Sequence, residues 1–319
     1  MKRSEFFIFL AIVVVAVFFR FWHLGQLPPG LSPDVAMNGN SAIQALEGGF
    51  SAKGGPASGW KVFYPENNGR EGLMINLQAL SIAHFGNTID ALKFPVAVAG
   101  ILTVIGLYFL TRLLFGWHIA ALSSFLMAIS FWHVHFSRIG LDVILAPCVL
   151  VWGLYFFWKG LSRGHSIDFL ISGILWGLGV YSSIAFRVMP LVIVAVLAAY
   201  WHALRQGFNH HRYMDTRNKL AIGFVLFIGI AGIVAAPLGF YFIAHPQDFS
   251  VWPVSVFQTA HPIQTLIGNF IKTLGMFNFV GDRDWRYNDA GQPLLFWPIG
   301  IFFAIGLIRN IVKIITGYR

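Results

Sequence analysis

The sequence predicts an all-α integral membrane protein: a bundle of about eight transmembrane helices with a long first extracytoplasmic loop. Three observations carry this. The 319 residues are 57% hydrophobic and 11% charged, with a mean hydropathy of +0.68, whereas a soluble domain carries roughly 25% charged residues. The apolar residues run in long blocks, several approaching the ~20 needed to cross ~30 Å of hydrocarbon as a helix. Hydrocarbon also forces each segment to pair its own backbone groups, which selects helices. The alternating ~10-residue pattern of an outer-membrane barrel is missing.

The spans are placed at 6–22, 94–111, 117–131, 142–158, 167–184, 188–204, 220–244 and 294–315, forming a single membrane domain over 1–319. Met1-Lys2-Arg3 and the apolar run behind it have the outline of a signal peptide. Arg20, Phe21 and Trp22 stand where small cleavage-site residues belong, so the run is read as an uncleaved first span. The apolar segment 73–85 has only 13 residues and is read as juxtamembrane or re-entrant. Basic residues then fix the orientation. Arg112, Lys159 and Arg163, the loop with Arg205, Arg212, Arg217 and Lys219, and the tail with Lys313 and Arg319 fall inside. The loops 23–93 and 245–293 fall outside. The first is rich in turns (Pro28-Pro29-Gly30, Gly48-Gly49, Gly54-Gly55-Pro56), with a short helix expected from Ala36 to Leu46. The second carries Asp282, Arg283, Asp284, Trp285 and Arg286. Loops this long are usually functional or disordered.

The net charge of +9 suits topology rather than nucleic acid, because the basic residues sit in short loops between apolar blocks. The single cysteine, Cys148, lies in an apolar run, which excludes a disulfide framework and a cysteine metal site. There is no Walker loop, no GxGxxG and no HExxH. No cytoplasmic region is large enough to be a nucleotide-sugar-binding domain.

The charged residues outside the membrane are the candidates for chemistry. Asp34, in Leu31-Ser32-Pro33-Asp34, stands just beyond the first span. It reads equally as a helix N-cap and as a general base for a hydroxyl proton. Arg70 and Glu71 precede segment 73–85, where a phosphate would find a guanidinium and free helix N–H groups. The competing reading is a surface ion pair of little worth. Arg138 and Asp142 flank an outer turn between two spans. Arg138 either grips a lipid phosphate, oriented by Asp142, or both snorkel to the interface. His133 and His135 diverge on a helix and make no metal pair. Arg187 is a lone cation in a further outer turn, before Pro190. Three arginines on the outer face are not what the positive-inside rule predicts; a polyanionic lipid headgroup accounts for them.

Leu27-Pro28-Pro29-Gly30-Leu31-Ser32-Pro33-Asp34, Asn68-Gly69-Arg70-Glu71 and Phe136-Ser137-Arg138-Ile139-Gly140 occur in this order. With Arg187-Val188-Met189-Pro190 and His245-Pro246-Gln247-Asp248-Phe249, they resemble the GT-C membrane glycosyltransferases. The nearest groups are the protein O-mannosyltransferases and the aminoarabinose transferases of lipid A. The resemblance implies a GT-C-like bundle with juxtamembrane helices in its first outer loop. It implies inverting transfer of a sugar from a polyprenyl-phosphate donor to a hydroxyl on a protein, lipid or glycan acceptor, on the extracytoplasmic face of the plasma membrane. It makes Asp34 the candidate catalytic base, places Glu71 in the donor phosphate site and puts Arg138 on the lipid-carrier side with Asp142 just beyond; Arg70 and Arg187 join this donor-binding set on their charge and position. A divalent cation, Mg2+ or Mn2+, is compatible with it. Many members have Asp-Glu where this chain has Asp34-Val35, and many are longer. The alternative is therefore a non-catalytic membrane protein: a lipid-linked-sugar transporter, a partner subunit or a truncated member.

Overall fold

The computed structural model describes residues 2–49, 59–66, 69–205, 210–250 and 261–316. The turns expected around Gly54-Gly55-Pro56 and the tail arginine Arg319 lie outside them. Among the described residues the regular structure is helix, apart from one two-residue ladder. It divides into two compact units, 1–129 with 136–249, and 130–135 with 250–319, where the sequence suggests one membrane domain.

In the first unit, α1 (Arg3–Phe21), α4 (Ile89–Phe115), α5 (Trp117–Ile129), α7 (Leu145–Arg163), α8 (Ser166–Gly179), α9 (Pro190–Arg205) and α10 (His210–Ala244) coincide with the expected spans. Between them lie α2 (Pro33–Gly49), strands β1 (Phe63–Tyr64) and β2 (Arg70–Glu71), α3 (Gly72–Phe85) and α11 (Pro246–Ser250). The short α6 (Phe131–Phe136) follows α5. The second unit contains α12 (Pro262–Met276) and α13 (Trp297–Thr316).

By length and composition, four helices can cross a membrane: Arg3–Phe21, Ile89–Phe115, Asp142–Arg163 and Ala221–Ala244. The remaining expected spans are shorter apolar helices. The 13 residues of α5 and the 14 of α8 reach only ~20 Å at 1.5 Å per residue. Segment 73–85 is the helix α3, of juxtamembrane length, as the sequence suggests. In the second outer loop the sequence reading missed α12. Its Ile263, Leu266, Ile267, Phe270, Ile271 and Leu274 recur at helical spacing and are all exposed, the pattern of an amphipathic helix.

The core of the first unit lies between α7, α8 and α10, where Phe157, Phe169, Trp176, Phe186 and Phe227 pack together. Pro237, inside α10, has no N–H to give the helix ladder. The Tyr181 hydroxyl donates to the Val234 carbonyl at 2.7 Å and accepts from the Leu238 N–H at 3.3 Å. A smaller core seats α3 on α4 and α7 through Met74, Val96, Ala99, Ile144 and Leu145.

Buried polar groups fix α3 in register. Gln78, fully buried, donates to the carbonyls of Leu92 (3.2 Å) and Gly140 (3.0 Å). The Ser81 hydroxyl donates to the Ala91 carbonyl at 2.6 Å. Each such bond also satisfies a donor that hydrocarbon would leave unpaired.

Candidate active site

The site begins with how the chain leaves α1. The last carbonyls of a helix have no partner within it. Here Arg138, 7% exposed, supplies one. Its guanidinium donates to the carbonyls of Phe19 (2.7 Å), Trp22 (2.6 Å), His23 (3.1 Å) and Leu27 (2.9 and 3.1 Å). Burial holds its pKa below the ordinary arginine value. The fully buried Lys93 donates to the carbonyls of Pro28 (3.1 Å) and Leu24 (3.4 Å). Two cations thus pin residues 19–28, the stretch that delivers Asp34. This differs from the expected part for Arg138: its donors are spent on main-chain oxygens, and it makes no hydrogen bond to Asp142.

Asp34 lies in the first turn of α2, one residue past the Pro33 that opens it. Its carboxylate is 37% exposed. Opposite stands β2, an antiparallel partner of β1 in which Phe63 faces Glu71 and Tyr64 faces Arg70. The hairpin is fastened to α3. The Tyr64 hydroxyl donates to Asn76 Oδ1 at 2.8 Å, and Asn76 Nδ2 donates to the Lys61 carbonyl at 3.0 Å. Gly72 lets the chain turn straight from β2 into α3: its N–H donates to the Val62 carbonyl at 2.9 Å, and a Cβ there would lie 2.1 Å from the Lys61 oxygen.

Successive strand residues point to opposite sides, and Arg70 and Glu71 take different partners. Arg70 donates to the Asp34 carboxylate (2.8 Å), to the Asp34 main-chain oxygen (2.6 Å) and to the Asn38 side-chain carbonyl. Glu71, 6% exposed, accepts from Arg187 at 3.0 Å. Burial raises the Glu71 pKa above the usual carboxylate range, with the Arg187 charge opposing. The Arg187 guanidinium stacks over Phe242 and Phe249, 5.0 and 5.1 Å from their ring centres. Such a cation is held in place by rings that take none of its hydrogen bonds. Asp142, half-buried at the turn into α7, lies within the fields of the Glu71 carboxylate and the Arg70 guanidinium.

Five of the six residues singled out in the sequence therefore meet around β2, and Arg138 stands apart as a brace. Sequence reasoning passed over Asn38, Phe242, Phe249 and Lys93. Phe242 and Phe249 are the closest to having been found, since Phe249 ends the motif His245 to Phe249. Asn38 gives no sequence signal beyond its place one helical turn after Asp34. Val35, which follows Asp34, is fully buried against Gly140. That position faces packing, so a carboxylate there would be desolvated.

A divalent cation does not suit this donor set. The carboxylates of Asp34 and Glu71 each carry a guanidinium, and no group of three or more His, Cys, Asp or Glu that could hold a metal forms among the described residues.

The family model for dolichyl-phosphate-mannose-protein mannosyltransferases matches residues 73–231. That family is among the groups its motifs resemble, and the match covers just under half of the chain. The matched stretch contains Arg138, Asp142 and Arg187 and stops short of Asp34, Arg70 and Glu71. Among solved structures the chain is similar to the Archaeoglobus fulgidus oligosaccharyltransferase. One crystal form is tethered with an acceptor peptide containing the NVT sequon: identity is 18%, TM-score 0.48, with 86% of this chain and 38% of that chain covered. In the complex with Zn and sulfate the values are 19%, 0.49, 84% and 39%. The chain thus spans under two fifths of that enzyme's length. No curated protein matches the chain.

Proposed function

We propose that this protein transfers a sugar from a polyprenyl-phosphate carrier to an acceptor hydroxyl, with inversion, at the extracytoplasmic face of the plasma membrane. One observation carries the reading. Asp34 and Arg70, 36 residues apart, and Glu71 and Arg187, 116 apart, form two ion pairs on the consecutive residues of β2. A partly exposed carboxylate thereby stands against one fixed guanidinium, Arg70, and a second, Arg187, is held on the next residue of the same strand; hydroxyl activation and a phosphate leaving group call for groups of these two kinds. The family whose model matches is named for a dolichyl-phosphate donor and a protein acceptor, which supports the same donor chemistry here.

In the step, the acceptor oxygen attacks the anomeric carbon and its proton passes to the Asp34 carboxylate. The bond from that carbon to the phosphate oxygen breaks, and the phosphate departs with the electron pair. Arg70 and Arg187 meet the charge that develops on it; one such donor is worth about 3 kcal/mol in a transition state. Glu71 positions Arg187, and Asp142 bounds the donor side.

The test uses purified full-length protein, a panel of radiolabelled polyprenyl-phosphate sugars, and free polyprenyl phosphate as readout. Asp34→Asn abolishes release and keeps donor binding. Turnover retained in that variant would remove Asp34 from the role, and silence across the whole panel would remove this class of donor.

A further inference from the structure

Asn38 stands one turn after Asp34 on α2 and is 1% exposed. Its side-chain carbonyl accepts from Arg70 Nη1, the same nitrogen that donates to the Asp34 main-chain oxygen. Arg70 Nη2 reaches the Asp34 carboxylate at 2.8 Å. The guanidinium is therefore held at three points on the first turns of α2, and only one of the three is a charge. The Asn38 Nδ2 is buried with no hydrogen-bond partner. An unpaired buried donor costs stability, and each such group calls for an explanation. An apolar residue of the same shape would avoid that cost and forfeit the bond to Arg70, two effects of similar size, so folding alone gives asparagine little advantage here.

We propose that Asn38 is a positioning residue for the transfer reaction. Its neutral carbonyl locks the Arg70 guanidinium across Asp34, which keeps the carboxylate aligned with the acceptor hydroxyl. Because it is neutral, it leaves the Arg70 charge to Asp34 and to the departing phosphate. An aspartate at this position would share that charge between two acids. The inference rests on the function proposed above for Asp34.

Two substitutions separate positioning from a merely structural part. Asn38→Leu removes the third anchor and the unpaired donor together. Melting in detergent is expected to stay level or rise, while kcat falls by about ten- to a hundredfold through misalignment and the donor KM holds. Asn38→Asp restores an acceptor of the same shape but adds a like charge beside Asp34. It is expected to keep the anchor but recover only part of kcat, because two acids then share the Arg70 charge, and to move the acid limb of the kcat profile upward by about one pH unit, since a neighbouring carboxylate raises an acid's pKa. Wild-type kcat in the leucine variant, a loss matched by a fall in melting temperature, or an unmoved acid limb in the aspartate variant would each overturn the proposal.

A readout free of any sugar donor keeps this distinct from failure of the proposed function. Phenylglyoxal modification of Arg70, followed by peptide mass spectrometry on the full chain, is expected to run severalfold faster in Asn38→Leu than in wild type. An equal rate would show that Asn38 does not hold Arg70, whatever reaction the site performs.

Discussion

Arg138 offers the sharpest contrast between what a motif implies and what a structure assigns. Five hydrogen bonds run from its guanidinium to four carbonyls at and beyond the end of α1. At ~1 kcal/mol net for each carbonyl, truncation in Arg138→Leu is expected to cost about 4 kcal/mol. At about 2–4 °C per kcal/mol for a chain of this size, melting drops by about 8–16 °C. Arg138→Lys keeps the charge but brings three donors in place of five, so its loss is expected to be about 1–2 kcal/mol. The assay is thermal unfolding of purified protein in one detergent, paired with binding of a polyprenyl-phosphate sugar. A brace loses stability in the order Leu, Lys, wild type while the stable fraction binds donor normally. A phosphate ligand gives the reverse, with unchanged melting and weakened donor binding in the lysine variant, and that result would refute the assignment.

Two further outcomes follow from the hairpin. Gly72→Ala sets a methyl group 2.1 Å from the Lys61 carbonyl oxygen; the strain is expected to cost about 1–3 kcal/mol, lowering melting and transfer together. Glu71 binds its proton more tightly folded than unfolded, since burial raises its pKa above the ordinary 4.5. Between those two values the folded state holds more protons, so stability falls as pH rises and is regained as pH drops. Glu71→Gln is expected to remove that slope from a plot of melting temperature against pH; an identical slope in the variant would contradict it.

Much of the fold was legible because hydrocarbon imposes a simple code. Long apolar blocks became α1, α4, α7 and α10, and the short one became α3. Charged residues stood out against so apolar a chain, which is why Asp34, Arg70, Glu71 and Arg187 could be picked out. Their pairing could not be, because it depends on packing that brings residue 187 to residue 71. Arg138 looked the same in sequence as Arg187; only the structure shows which guanidinium spends its donors on carbonyls and which stacks on Phe242 and Phe249. Asn38 carries no charge and was passed over on a helix where polar residues are ordinary. Within the second outer loop α12 was missed although its apolar residues recur at helical spacing, because the loop was weighed by its length and its acids.

The two-residue strand at 70–71 has a consequence for how such a protein can change. Its two residues differ in sign and look opposite ways, so sliding it by a single residue breaks both pairs. Slid one way, Glu71 meets Asp34 and Gly72 meets Arg187; slid the other, Arg70 meets Arg187 and Gly69 meets Asp34, so one attraction turns to repulsion and the other is lost. Insertions between residues 64 and 70 are therefore harmless only when the ladder keeps its phase.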